Sequence, residues 1–185
     1  MVSVAPMIRA HLTASLVRAS REGGWDLPEE WSSGCPEGDG WVCMRRHVAL
    51  VDWLHARGGH EVLRTASHAS GLAQEPDGLS PRLTHLEKAF VKEPEHWIDV
   101  LPWVWRGITR DCGRMHRTSV ADGVASYSFV GLPEFCVASE GLRARIAAGM
   151  EAVLARAGFR GRVQLWPSGD PGVLRVEVRY ALATS

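Results

Sequence analysis

The sequence predicts an α+β fold, in which a helical N-terminal lobe is followed by a β-β-α-β-β antiparallel sheet lobe. Three observations predict it. Before residue 112 the apolar residues recur at helical spacing. After it, two runs of alternating polarity flank Asp122-Gly123, which is a strong hairpin signal. A long amphipathic run over residues 139–157 then separates this hairpin from a second pair of alternating runs.

Length, charge and cysteine content limit the class of protein. The chain has 185 residues, 45% of them hydrophobic, which is enough for one large domain with its own core. Lys+Arg and Asp+Glu both number 21, and this balance argues against a nucleic-acid partner. The first residues do not resemble a signal peptide, and no apolar run is long enough to cross a bilayer. We therefore expect a cytoplasmic protein with reduced thiols.

Helices dominate the first part of the chain. Apolar stripes predict them over residues 6–22, from Trp41 to Gly58-Gly59, over 60–73 and over 82–92. Residues 23–40 are rich in Gly, Pro, Ser and acidic residues and predict a loop, although its two tryptophans indicate that it packs onto something. We accordingly divide the chain into an N-terminal helix and loop, residues 1–40, and a single α+β ligand-binding-like domain, residues 41–185. The domain has a helical part over 41–112 and a sheet part over 113–181.

The segment EHWIDVLPWVWRG, residues 95–107, concentrates three tryptophans in one amphipathic stretch. Four apolar residues share one helix face: Trp97, Leu101, Val104 and Ile108. Trp105 lies beside this face, and Trp103 points away from it. Pro102 lacks an N–H and should kink this helix. The pattern fits either the wall of a cofactor pocket or a tryptophan-filled core.

The second part of the chain alternates between strands and a helix. Strands are predicted over residues 114–121, 124–130, 161–166 and 173–180. The clearest helix of the chain covers 139–157, where Ser139 can cap the start and Gly158 suits the position after the end.

The C-terminal third shows an order of elements that occurs in a known superfamily. The helix SEGLRARIAAGMEAVLARAGF leads into RGRVQLWPSGDPGVLRVEVRY, a strand, a polar turn and a strand, and RTSVADGVASYSFVG precedes them as a hairpin. This order resembles the superfamily that joins the haem-nitric-oxide/oxygen-binding (H-NOX) domains, the 4-vinyl-reductase-type (V4R) ligand-binding domains and the TRAPP small subunits. A paralogous group of myxobacterial proteins has a similar ending. The resemblance covers residues 41–181 and implies a sensor, adaptor or regulatory module.

The residues that hold haem in the haem-binding members are absent. Those members carry a proximal His on the helix before the hairpin and Tyr-x-Ser-x-Arg on the hairpin. Here the helix reads Val104-Trp105-Arg106 and the hairpin reads Tyr127-Ser128-Phe129-Val130. Indole offers no lone pair for an Fe–imidazole type of bond. The resemblance therefore implies that tryptophan fills the cofactor volume, and haem would require another ligand such as His96 or the dipeptide Cys35-Pro36.

Two binding modes follow from the resemblance and the pattern. In the first, a small apolar ligand lies between the helical and sheet lobes, near five residues: Trp97, Leu101, Trp105, Phe129 and Phe135. In the second, the core is filled and the domain is a protein-interaction or homodimerisation adaptor. Its contact surface would be the outer face of the sheet, at Arg162, Trp166, Arg175 and Arg179.

Metal binding and catalysis have weaker signals. Cys43 and His47 are four residues apart on a predicted helix, which would bring two zinc-ligand types to one face. The chain has no CxxC pair, and four ligands cannot be named from spacing. Asp52 and His55 could orient each other, but GxSxG, Walker and GxGxxG motifs are all absent. We therefore expect a non-catalytic domain.

Overall fold

The computed structural model describes residues 5–32, 40–69 and 96–183. Within these ranges the chain forms six helices: α1 Ala10–Glu22, α2 Glu29–Ser32, α3 Met44–Ala69, α4 Trp97–Ile108, α5 Glu134–Ala138 and α6 Glu140–Arg156. It also forms seven strands: β1 Met7–Arg9, β2 Trp41–Cys43, β3 Thr109–Arg110, β4 Arg114–Ala121, β5 Val124–Val130, β6 Phe159–Pro167 and β7 Leu174–Leu182. The predicted helix over 82–92 and the Cys35-Pro36 dipeptide lie outside the described residues.

The larger sheet has four strands in the order β4-β5-β7-β6, and every neighbouring pair is antiparallel. Its first hairpin has the predicted bounds, and it turns at Asp122 (φ 36°) and Gly123 (φ 79°). Left-handed dihedrals at both turn residues match the twist of the strands, which is why an Asp-Gly pair predicts this turn. The α+β fold class and the antiparallel sheet lobe are thus confirmed.

A second, smaller sheet was not predicted. It has three strands in the order β2-β1-β3, and β1 pairs antiparallel with both neighbours. The predicted helix over residues 6–22 is therefore wrong at its start, because residues 7–9 form β1. The predicted start near Trp41 is wrong as well, because residues 41–43 form β2 and the helix begins at Met44. Three-residue strands have no readable period, and their partners are distant in sequence, so only tertiary pairing defines them.

Helix α3 changes direction where the sequence predicts a boundary between two helices. Gly59, within α3, has φ 62° and ψ −155°, which is outside the helical region. A residue without a Cβ adopts this conformation at little steric cost. The predicted break at Gly58-Gly59 is therefore present.

The start of helix α6 is fixed by its own N-cap residue and by a side chain of α3. Ser139 is its N-cap, and the Ser139 hydroxyl accepts a 2.8 Å hydrogen bond from the Leu142 N–H. Asp52 of α3 adds to this cap, because its carboxylate accepts from Ser139 Oγ at 2.6 Å and from the Gly141 N–H at 2.9 Å. A Cβ at position 141 would lie 2.6 Å from the Asp52 carboxylate and from the Val51 carbonyl. Glycine at this position therefore permits the close approach of α3 and α6.

Helix α4 continues through Pro102 because another element replaces the hydrogen bond that proline removes. A proline has no N–H to donate to the carbonyl four residues earlier, which is that of Ile98. The Tyr127 hydroxyl of β5 donates to this carbonyl at 3.0 Å, and Tyr127 is buried with 1% exposure. The freed carbonyl is thus satisfied by the sheet, and it ties α4 to β5.

None of the helices in the described ranges is both long enough and apolar enough to cross a lipid bilayer.

Candidate functional site

An apolar cavity of about 90 Å³, partly open to solvent, lies between the helical lobe, α1 to α4, and the sheet lobe, β4 to β7 with α6. Helix α4 lines it with three of the four residues of the predicted stripe, Leu101, Val104 and Ile108, and α6 lies across the cavity from them. Strand β1, helices α1 and α3, and strands β4 and β5 complete the wall, which is almost entirely apolar. The lining residues from α4 and β5 are Leu101, Val104, Trp105, Ile108 and Phe129.

The five residues predicted to contact a ligand divide into two groups. Leu101, Trp105 and Phe129 line the cavity. Trp97 and Phe135 do not, so the structure does not bring them to this site. Phe135 lies on α5 beneath the Arg45 guanidinium, 4.1 Å from the ring centroid. Helical spacing places Trp97 on the correct face, but eight residues of helix carry it about 12 Å from Trp105 along the axis.

Trp105 of α4 forms the part of the cavity wall that contacts strand β5. Its side chain is 6% exposed, and its ring meets Phe129 edge-on with the centroids 4.8 Å apart. The indole N–H donates to the Cys112 carbonyl at 3.2 Å. Buried indoles are usually satisfied in this way, and the bond fixes the ring orientation.

Trp97 belongs instead to a closed aromatic cluster. It is fully buried and meets Tyr180 edge-on at 5.1 Å and Phe159 at 6.0 Å between centroids. Phe159 and Tyr180 complete the triangle at 5.6 Å. The Trp97 Nε1 has no hydrogen-bond partner among the described residues. The segment therefore has both roles, with core at its first tryptophan and cavity wall at its third.

Two buried polar residues also line the cavity, His47 on α3 and Arg145 on α6. The His47 Nδ1 is 2.9 Å from the Thr13 hydroxyl. Burial, and after it the charge of Arg145, lowers the His47 pKa to about 3. Arg145 donates a hydrogen bond to the Ser67 hydroxyl, and burial lowers its pKa to about 10. At neutral pH the imidazole is therefore neutral and the guanidinium is charged.

The predicted zinc pair lacks its structural premise. Cys43 is in strand β2, while His47 is in helix α3, so the two residues do not share a helix face as predicted. The described ranges contain no group of three or more His, Cys, Asp or Glu residues arranged to hold a metal ion. Asp52 is used in capping α6 and does not form the expected pair with His55.

The four residues predicted for an interaction surface are all exposed on the outer face of the sheet. Trp166 lies directly across from Arg175, and Arg162 lies across from Arg179. Trp166 is 43% exposed. Arg175 also donates to the Ser128 hydroxyl at 3.1 Å, and Arg179 pairs with Glu177 at 2.7 Å.

Neither a protein-family model nor a curated protein matches this chain. The crystal structure of an Fe(II) unliganded H-NOX protein from K. algicida has a TM-score of 0.52 and 7% identity, over 94% of this chain and 97% of that one. A point mutant of the same protein has a TM-score of 0.57 and 8% identity, over 94% of this chain and 97% of that one. A Cs H-NOX mutant with 4-cyano-L-phenylalanine at site 5 has a TM-score of 0.51 and 11% identity, over 96% of this chain and 97% of that one.

The chain has the H-NOX fold. The predicted resemblance to H-NOX domains is therefore confirmed at the level of fold. Sequence identities of this size support no conclusion beyond the fold. The kinship with V4R domains and TRAPP subunits stays a prediction.

Haem, which the H-NOX fold implies, does not fit the residues found here. Helix α4 presents Trp105 to the cavity and offers no imidazole there. The hydroxyl of Tyr127 already donates a hydrogen bond to the Ile98 carbonyl. The cavity volume of about 90 Å³ is also far below the range of roughly 300–1,000 Å³ that even drug-sized ligands need.

Proposed function

We propose that this chain is a non-catalytic sensory domain that binds a small apolar ligand in the cavity between its lobes. The proposal rests on one observation: both lobes contribute to the cavity wall. Helix α4 comes from the helical lobe, and α6 with strands β4 and β5 comes from the sheet lobe. A ligand held there contacts both lobes at once. Its binding energy can therefore depend on how the lobes are arranged, which is the requirement for a sensor.

The size and polarity of the cavity define the ligand class. An apolar cavity near 150 Å³ in an engineered protein stays dry and binds benzene or xenon. The cavity here, at about 90 Å³, suits an occupant of only a few heavy atoms. Its wall offers almost no polar surface, so a ligand gains by dispersion and by leaving water. We therefore favour a gas molecule or a small hydrocarbon as the occupant.

Signalling requires differential affinity for two arrangements of the lobes. A ligand that binds one arrangement about 1.4 kcal/mol more tightly shifts the ratio of the two about tenfold. A change in the arrangement of the lobes would act on the hydrogen bond from Tyr127 to the Ile98 carbonyl, because this bond joins β5 to α4. The output would pass to a protein partner or to a second copy of the chain.

Xenon is a suitable first probe because it is apolar and small. We expect xenon to shift methyl resonances of Leu101, Ile146 and Val153 in NMR spectra and to raise the melting temperature. Ile146→Phe, which adds ring atoms to the wall, should abolish both effects. Leu182→Phe makes a similar addition at a residue that is 68% exposed, and it should leave both effects intact. Equal xenon responses in the two variants would refute binding in this cavity.

The outer sheet face supports a second candidate function, a protein-interaction or homodimerisation adaptor. An exposed Trp166 beside Arg175 combines the two residue types that anchor many interfaces. Strand β6 is moreover an edge of the sheet, since within the described residues it pairs only with β7. Light scattering after chromatography tests this: a dimer that Trp166→Ala dissociates and Leu182→Ala does not would favour the adaptor.

A further inference from the structure

Two buried thiols lie next to each other in the sheet lobe. The Sγ atoms of Cys112 and Cys136 are 4.0 Å apart, and the residues are 1% and 0% exposed. They are separated by 24 residues, so folding, not local sequence, brings them together. A covalent S–S bond is roughly 2.05 Å long, so the two sulfurs must approach each other by about 2 Å, which requires a change of side-chain rotamer at one or both cysteines.

The pair joins two connections on either side of the β4–β5 hairpin. Cys112 lies between β3 and β4, and Cys136 lies on α5, after β5. The carbonyl of Cys112 is the acceptor of the Trp105 indole N–H. The thiol pair is therefore one hydrogen bond away from the wall of the cavity.

We propose that Cys112 and Cys136 are a redox modification site that closes to an intramolecular disulfide in the presence of a low-molecular-weight disulfide. In the reaction with oxidised glutathione, one protein thiolate attacks a glutathione sulfur and releases one glutathione thiolate. The second protein thiolate then attacks the mixed disulfide and releases the other. One S–S bond forms in the protein, one is reduced in glutathione, and the two protons go to solvent and the released thiolates. This inference does not depend on the proposed ligand.

The surroundings of the pair set how fast it reacts. The hydrogen bond with Cys112 and, after it, burial raise the pKa of the Cys136 thiol, and the nearby Arg45 guanidinium opposes this. Only the thiolate is nucleophilic, so oxidation of the folded protein should be slow at neutral pH and faster as the pH rises. Burial protects the thiols from adventitious oxidation, while it leaves the equilibrium between dithiol and disulfide to be decided by geometry.

That equilibrium gives a quantitative test. Because folding holds the two sulfurs together, it should favour the disulfide relative to the unfolded chain, where closing a loop of this length costs entropy. We expect the equilibrium constant for disulfide formation with glutathione to be at least tenfold larger in the folded protein than in urea. A variant with Cys35→Ser and Cys43→Ser leaves only this pair to react.

The measurement is the intact mass after equilibration in glutathione buffers of graded oxidation and trapping of free thiols. Folded samples are prepared by refolding from urea in the same buffers, so that slow access to buried sulfur does not limit the result. The linked peptides containing Cys112 and Cys136 should be recovered, and the Trp105 indole resonance, assigned with Trp105→Phe, should shift on oxidation. Adding Cys136→Ser should abolish the cross-link and the shift.

An equilibrium constant that is equal or smaller in the folded state would overturn the proposal, as would glutathione attached to one cysteine without closure. If the doubly substituted variant does not fold, the wild-type chain gives the same decision by peptide mapping. A cross-link between Cys112 and Cys136 then supports the proposal, and cross-links only to Cys35 or Cys43 contradict it.

Discussion

Helix α4 places two tryptophans in the protein interior, and they have opposite surroundings. Trp97, in the first turn, is enclosed by Phe159 and Tyr180. Trp105, two turns later, has Phe129 on one side and a cavity of about 90 Å³ on the other. Both rings are at most 6% exposed, so burial alone does not distinguish them.

Helix α4 is therefore anchored at one end and less completely packed at the other. Interiors pack at nearly crystalline density, so a closed aromatic cluster resists any change of volume. A cavity is the exception, and it marks the place where a ligand or a rearrangement can be accommodated. Substitutions at the two ends of the helix test that distinction.

Truncation of Trp97 should be the most damaging change at the closed end. We expect Trp97→Ala to lower the free energy of unfolding by about 3–5 kcal/mol, because it removes a fully buried ring from the aromatic cluster. Urea unfolding gives this value. Trp103→Ala is the control on the same helix: at 66% exposure it should change the value by less than about 0.5 kcal/mol. Similar losses for both would mean that the cluster is not a core.

Acid should lower the free energy of unfolding through His47, which lies at the cavity end. Its pKa is about 3 in the folded protein and 6.5 in the unfolded chain, so below pH 6.5 the unfolded chain takes up a proton that the folded protein excludes. The stability that His47 contributes is complete above pH 6.5 and decreases as the pH falls towards 3, by up to about 1.4 kcal/mol per pH unit.

His47→Asn, which can keep a hydrogen bond to Thr13, should remove this acid-dependent loss. Unfolding free energies measured between pH 7 and pH 4 give the difference between the two proteins. Thr13→Val is the matched control, because it lowers stability but leaves the imidazole to titrate. An unchanged pH dependence in His47→Asn would show that His47 is accessible to protons in the folded state.

Adding volume at two positions of α6 compares the two ends directly. Leu154 is fully buried and packs near Gly161 at the closed end, whereas Ile146 lines the cavity. Leu154→Phe should lower the unfolding free energy by about 1–3 kcal/mol through overpacking. Ile146→Phe should cost less than about 1 kcal/mol, because the added atoms enter existing space. The reverse order in thermal unfolding would place the loosely packed region at Trp97.

The bond from Tyr127 to the Ile98 carbonyl should have the smallest effect. Tyr127→Phe leaves that carbonyl buried without a donor, so we expect a loss of about 1 kcal/mol. Pro102→Ala supplies a helical N–H to the same carbonyl, and Tyr127→Phe should then cost less. Strict additivity in this double-mutant cycle would mean that Pro102 does not create the need for the tyrosine.

The sequence predicts the long elements well, and it fails where segments are short. The β4–β5 hairpin has the predicted bounds because period-2 alternation and an Asp-Gly turn agree over seventeen residues. At strands β1 and β2 the sequence instead predicts the starts of helices, because three residues cannot show a period. For the candidate site, the stripe on α4 and the tryptophan beside it predict Leu101 and Trp105, while no sequence signal indicates that Ile8, Leu12 and residues of α6 line the cavity.

Some missed features had a signal in the sequence. Pro102 inside a helix requires a substitute donor for a carbonyl, although it does not say that Tyr127 provides it. No comparable signal existed for Asp52, whose partners lie 87 and 89 residues away. The pair of Cys112 and Cys136 likewise depends on how two connections come together.

Local sequence is enough to predict the α+β class and the order of the sheet lobe, and it shows that α4 contains no histidine. These depend on local periodicity, turn chemistry and residue identity, which a single chain displays openly. Tertiary structure alone decided that Trp97 is enclosed, that Trp105 borders a cavity and that two thiols meet. Packing against partners distant in sequence settles such questions, because a helix face says which residues turn inward but not what they find there.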